Sequence, residues 1–159
     1  MIKDDVNNGT GVGLTFFTQG CPHHCRGCQN PETWNKLGGL EYTNSVLEEI
    51  INYFKNNQYA TRLTLSGGDP MFSPEIVLPI CQAVKEVRPD ITIWLYTGYI
   101  FEDIKENPIL KYIDVMVDGP FILEQRDITL PFRGSANQRI IDVKESNKKG
   151  ETVLWTTTI

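Results

Sequence analysis

Short apolar runs alternate with longer amphipathic stretches along this chain. Val12–Thr18, Arg62–Ser66, Ile91–Tyr96 and Tyr112–Val117 have the length of strands, and each is bounded by Gly, Pro, Asn or Asp. Between the first two, Val46, Leu47, Ile50, Ile51 and Phe54 recur at helical spacing behind Thr43, a residue suited to an N-cap. Ile76, Val77, Ile80, Val84 and Val87 repeat that spacing behind Ser73-Pro74, and proline is tolerated at the first helical position. A shorter helix is expected around Phe101–Glu106, ended by Asn107-Pro108. Beyond it, Arg139–Val143 and Thr152–Thr157 read as two strands of a hairpin, with the charged stretch Lys144–Gly150 as its turn.

Strand, loop, helix and strand in this rhythm are the signature of an α/β fold built on a parallel sheet. No linker or repeat divides the chain, so residues 1–159 are expected to form a single domain. The strand ends carry Gly20–Cys28, Gly67–Pro70, Thr97–Tyr99 and Asp118–Pro120, and a parallel sheet gathers such loops on one rim. A closed eight-fold barrel takes about 250 residues. An incomplete (β/α) barrel, open on one side, is the expectation for this length.

Composition narrows the function classes. Hydrophobic residues are 40% and charged residues 22% of the chain, ordinary proportions for a globular protein. The net charge of −5 argues against a general nucleic-acid or anionic-membrane binder. The polar start Met1–Asn8 does not read as a signal peptide, and no apolar run approaches the roughly 20 residues of a membrane span. Clustered cysteines without such a signal point to the reducing cytoplasm.

Those cysteines carry the chemistry. Cys21, Cys25 and Cys28 fall in one loop, Cys21-Pro22-His23-His24-Cys25-Arg26-Gly27-Cys28, directly behind the first strand. Thiolates are soft ligands that select zinc, copper(I) or iron–sulfur clusters. Structural zinc sites close with four ligands, whereas a cubane held by three cysteines leaves one iron open for a small molecule. A Cys3His zinc knuckle using His23 or His24 is the alternative. Cys81 lies far along the chain inside an amphipathic helix and reads as a small buried hydrophobe.

Cys21-x3-Cys25-x2-Cys28 resembles the cluster loop of the radical S-adenosylmethionine (SAM) superfamily, and Gly67-Gly68-Asp69-Pro70 resembles its glycine-rich motif. Thr33-Trp34-Asn35, Trp94-Leu95-Tyr96-Thr97-Gly98-Tyr99 and Arg133-Gly134-Ser135-x-Asn137-Gln138-Arg139 follow in order. From about Asn8 to Asp142 the combination is similar to the activating proteins of anaerobic (class III) ribonucleoside-triphosphate reductases. The resemblance implies a barrel of radical SAM type, with a [4Fe-4S] cluster on Cys21, Cys25 and Cys28 and no catalytic residue beyond the cluster. It implies S-adenosyl-L-methionine on the open iron, met by Gly27, Cys28, Gln29, Gly67, Gly68 and Asp69. Asp69 stands where the superfamily commonly has Glu, and Gly27-Cys28-Gln29 lacks the aromatic residue common beside the third cysteine; both departures shift the expected contacts towards the backbone.

The implied reaction is reductive cleavage of SAM to a 5′-deoxyadenosyl radical that abstracts hydrogen from a glycine of the reductase. The implied partners are the large subunit of that reductase and an electron donor such as flavodoxin, with homodimerisation a further family expectation. An activase for another glycyl-radical enzyme, a radical SAM enzyme acting on a small molecule, and a zinc-binding interaction module remain the alternatives at this point.

Overall fold

A computed structural model describes residues 1–157. Its centre is a six-stranded sheet in sequential order: β1 (Ile2–Asp5), β2 (Gly13–Thr18), β3 (Arg62–Gly67), β4 (Thr92–Tyr96), β5 (Val115–Asp118) and β6 (Arg139–Asp142). Strands β2 to β5 are parallel, as the alternating pattern requires, while β1 and β6 pair antiparallel at the two edges. The sheet is therefore mixed and open rather than wholly parallel. β1 was not foreseen because Ile2-Lys3-Asp4-Asp5 has one apolar residue and only Asp5 is buried.

Register sorts the side chains into two faces. Leu14, Leu63 and Ile93 form one row, and Phe16, Leu65, Leu95 and Met116 the next. Helices α1 (Asn44–Asn56) and α2 (Pro74–Val87) cover this face, contributing Ile50, Phe54, Val77, Ile80, Cys81 and Val84 to the main core. Burial pushes the Cys81 thiol up to about 12, so it behaves as a packed hydrophobe, as expected. Among the described residues no helix is long and apolar enough to cross a membrane.

The other face is of different character. Thr15, Thr64 and Trp94 share one row with Val115, and Phe17, Ser66 and Tyr96 lie nearer the rim. Among the described residues, Trp94, Val115 and Val117 form a small buried apolar cluster here, with Tyr96, Phe132, Ile140 and Trp155 packed against it. The Phe132 and Trp155 rings meet Trp94 edge-on with centroids 5.2 Å away. Cover on this side thus comes from loops and the C-terminal stretch, not from helices.

The expected C-terminal hairpin is replaced by a helix. Val143–Lys149 forms α4, following the short helix α3 (Phe101–Ile104) in chain order. Asp142 caps it by accepting from the Glu145 N–H at 2.9 Å, and Gly150 ends it in the left-handed region at φ 73°. Those two end signals outweigh the charged composition that reads as a turn. Of the expected strand over Thr152–Thr157, an isolated bridge from Leu154 to Ile141 is what forms.

One ion network ties these elements together. Arg139 donates to Glu102 at 3.0 and 2.7 Å and to Asp118, while the Thr152 hydroxyl donates to Glu102 at 2.6 Å. Hydrogen bonds from Arg139, then Thr152, lower the Glu102 carboxyl from 4.5 to about 2. A carboxyl depressed by folding stabilises the native state above its unfolded value, and that contribution fades as pH falls from about 4.5 towards 2. Because Glu102 is 46% exposed, solvent screening holds the effect to within ~1 kcal/mol. In urea titrations of the metal-free protein, Glu102→Gln is expected to lower the midpoint at neutral pH and to match the parent near the bottom of that window. A difference that stays constant across the window would exclude the linkage.

Candidate functional site

The parallel strands deliver four loops to one rim, as the spacing of glycines and acids predicts: Gly20–Cys28 after β2, Gly67–Pro70 after β3, Thr97–Tyr99 after β4 and Asp118–Pro120 after β5. The cysteine loop is shaped by its backbone. The Gly20 N–H donates to Thr33 O at 2.7 Å and the Cys21 N–H to Trp34 O at 3.2 Å, folding the Thr33-Trp34 segment beneath it. The Cys28 N–H donates to Cys25 O at 3.1 Å, closing a turn that needs Gly27 at φ 76°. His24 also lies at positive φ, 47°, and its ring stacks on Trp34 at 4.7 Å.

Cys21, Cys25 and Cys28 are free thiols of intermediate burial. The Asn30 N–H donates to the Cys28 sulfur at 3.4 Å. Burial pushes the Cys21 thiol up and the charges of Asp69 and Cys25 add to this, while the backbone N–H groups of His23 and His24 pull it partly back. A positive iron centre would favour the thiolate forms of these cysteines. Three thiols on one loop, with N–H groups directed at two of the sulfurs, fit the donor set of an iron–sulfur cluster. Among the described residues no three His, Cys, Asp or Glu side chains, the three loop cysteines included, are gathered closely as a metal-ion site. Of the two imidazoles either of which a Cys3His knuckle could use, His24 stacks its ring on Trp34 and His23 bonds through Nε2 to Asp69.

Asp69 is 1% exposed. Its carboxylate accepts from the Met71 N–H at 3.0 Å, the Gly98 N–H at 2.9 Å, the Thr97 hydroxyl at 2.9 and 2.8 Å, and His23 Nε2 at 2.7 Å. Its backbone N–H donates to Gly20 O at 2.8 Å, and that of Gly68 to Thr18 O at 2.9 Å. Gly67 and Gly68 are pressed against the β2 strand and the cysteine loop. This turn thus touches the cysteine loop directly, and its acid is already committed.

Cys28 and Gln29 lie on the wall of a cavity of about 440 Å³ on the second sheet face, shared with Phe17, Ser66, Tyr96 and Phe132. Arg133, Gly134 and Gln138 also line that wall. Gln138 accepts from the Gly134 and Ser135 N–H groups and donates to Gly119 O at 3.0 Å, while Asn137 donates to Pro120 O at 2.8 Å. The segment 133–139 is therefore a braced wall on the end of β5. Asp118 is spent on the Phe101 N–H and on Arg139. Gly27 faces Leu123 and lies apart from this cavity wall. Sequence reading missed the His23–Asp69 and His24–Trp34 contacts; Gly98, which leaves room for an imidazole, was the one available signal.

Residues 7–141 match the family described as a 4Fe-4S single cluster domain. The site and this match define an iron–sulfur protein of the single-cluster class. An anaerobic ribonucleoside-triphosphate reductase-activating protein of Vibrio cholerae is 46% identical over 141 residues, covering 86% of this chain and 91% of its own length. Those of Haemophilus influenzae and Escherichia coli K12 are 43% and 34% identical, covering 86% and 84% of this chain and 91% and 90% of theirs. The chain belongs to the family of anaerobic ribonucleoside-triphosphate reductase-activating proteins.

Proposed function

We propose that this chain is a radical SAM enzyme, a single domain acting in the cytoplasm, that installs a glycyl radical on an anaerobic ribonucleoside-triphosphate reductase. The observation that carries this reading is the loop of three free thiols beside a roomy, partly polar cavity, in a chain of the activating-protein family. When bound and reduced by an external electron donor, a [4Fe-4S] cluster would supply the electron for reductive cleavage of SAM, and the 5′-deoxyadenosyl radical so formed would take hydrogen from a glycine Cα of the reductase large subunit.

The protein's share is to hold and to shield. Cys21, Cys25 and Cys28 would hold the cluster, with the Asn30 N–H on the Cys28 sulfur tuning it. Gln29, beside Cys28, lies on the cavity wall and would meet SAM there. Gly67, Gly68 and Asp69 would contribute through backbone carbonyl oxygens, since the Asp69 carboxylate is occupied and the Gly68 and Asp69 N–H groups donate within the fold, while Gly27 would serve by shaping the turn that carries Cys28. Phe17, Tyr96 and Phe132 would keep water from the reacting atoms. In this reading the open sheet is an incomplete barrel of radical SAM type whose free side admits the partner's glycine loop. Electron delivery by a flavodoxin-type donor and homodimerisation complete the proposal.

The test is anaerobic reconstitution with iron and sulfide, then dithionite reduction with SAM, quantifying 5′-deoxyadenosine. Cleavage by the parent protein is expected, with Cys25→Ala falling to the enzyme-free background. Adding the reductase should then give a glycyl doublet by electron paramagnetic resonance. A colourless protein that binds zinc and forms no deoxyadenosine would sink the proposal.

A further inference from the structure

Asp69 grips the cysteine loop on both sides of Cys21. Its backbone N–H holds the Gly20 carbonyl at 2.8 Å, and its carboxylate holds His23 Nε2 at 2.7 Å. A carboxylate only accepts, so the ring nitrogen donates and the tautomer is fixed with hydrogen on Nε2. The imidazole sits in a fitted slot. A Cβ on Gly98 would lie 2.5–2.8 Å from three of its ring atoms, and Tyr99 meets its face edge-on at 4.6 Å. The ends of β3 and β4 are thereby joined to the loop after β2 through one buried acid.

The carboxylate also has no capacity to spare. Its two oxygens offer about four lone-pair sites, and the Met71 N–H, Gly98 N–H, Thr97 hydroxyl and His23 ring already take them. An incoming ammonium group would have to displace one of these buried donors and leave it unsatisfied.

We infer that Asp69 is a positioning residue that fixes the Cys21 end of the cluster loop through His23, and that its carboxylate does not bind SAM. The inference rests on the proposed ligation of a cluster by Cys21, Cys25 and Cys28. It predicts that the motif from Gly67 to Asp69 governs how firmly the cluster is held before it governs how firmly SAM is held.

The experiment compares Asp69→Asn, His23→Ala and His23→Gln in reconstituted protein. It follows cluster loss to an iron chelator by visible absorbance, and SAM affinity per loaded cluster by equilibrium dialysis in the oxidised state. Asp69→Asn and His23→Ala are expected to lose the cluster roughly 10–100-fold faster than the parent, the usual reach of an outer-shell contact. His23→Gln, which keeps an N–H near the Nε2 position, should restore most of the lifetime. The double variant Asp69→Asn/His23→Ala should be no faster than the worse single one, and in each variant any change in SAM affinity per loaded cluster should be small beside the change in cluster lifetime. Parental cluster lifetime with weakened SAM binding in Asp69→Asn would overturn the inference, as would a parental lifetime in His23→Ala. If Asp69→Asn fails to fold, the His23 pair decides alone, because that ring lies outside the main core. A parent protein that holds its cluster but cleaves no SAM would sink the proposed function and leave this comparison intact; a parent holding no cluster would sink the ligation, and the inference with it.

Discussion

On the proposed function, Gly68→Ala is expected to yield a folded protein that holds its cluster poorly and cleaves SAM on the order of a hundredfold more slowly, the scale set by a misplacement of about 1 Å at a reacting centre. A Cβ at Gly68 would lie 2.8 Å from the Gly20 carbonyl carbon and 2.9 Å from Thr33 O, and closer still to the Gly20 oxygen. These are backbone atoms, so no rotamer change relieves the clash. The same two carbonyls close the cysteine loop: Gly20 O accepts from the Asp69 N–H, and Thr33 O accepts from the Gly20 N–H. The methyl group would therefore push the segment carrying Cys21 off the end of β3 while leaving the strands beneath it paired. Iron per chain after reconstitution and the rate of deoxyadenosine formation are the two readouts. Parental values for both would show that the close approach at Gly68 has no part in holding the loop.

How much of this was legible in the sequence depends on whether the determining contacts were local. The parallel strands, both long helices and the rim of loops follow from periodicity, because Leu63, Leu65, Ile93 and Leu95 alternate inward and Ile50 and Phe54 recur at helical spacing. The cysteine loop announces itself through three soft donors in eight residues. The edge strand Ile2–Asp5 did not, since its stability comes from pairing with β2 and from Asp5, not from an apolar pattern. Helix α4 was misread because composition was weighed above its end signals, Asp142 and Gly150. The role of Asp69 could not be read at all. It depends on His23, Thr97 and Gly98, which stand 46, 28 and 29 residues away and meet only when three strand ends converge.

Buried charge gives the other large effect. Arg62 is fully buried on the second sheet face, donating to Asp5 Oδ2 and Asp5 O at 2.8 Å and to the carbonyls of Thr10 and Gly11. Burial lowers the Arg62 pKa and the charge of Asp5 opposes that fall. For Asp5, burial pushes the carboxyl up, but hydrogen bonds from Thr15, Asn7 and Asn8 and the Arg62 charge outweigh it and hold the carboxyl below its usual range. Removing one member of such a pair strands the other in a low-dielectric interior and typically costs about 3–5 kcal/mol. That is a large share of the roughly 5–15 kcal/mol that holds a domain folded. Asp5→Ala is accordingly expected to produce the steepest fall in urea midpoint among single substitutions outside the main core. Arg62→Met should cost less, because Thr15 and Asn8 still donate to the carboxylate that remains. The double variant Asp5→Ala/Arg62→Met should lose less than the two single costs added together, since neither charge is then left unpaired. A folded-state carboxyl depressed in this way stabilises above its unfolded value and stops doing so as pH falls below it, so the cost of Asp5→Ala should shrink in acid. Urea titrations of the metal-free protein at neutral and acid pH measure both effects. An Asp5→Ala midpoint equal to the parent at neutral pH would show that the pair contributes nothing, and strictly additive costs would show that the two charges act independently.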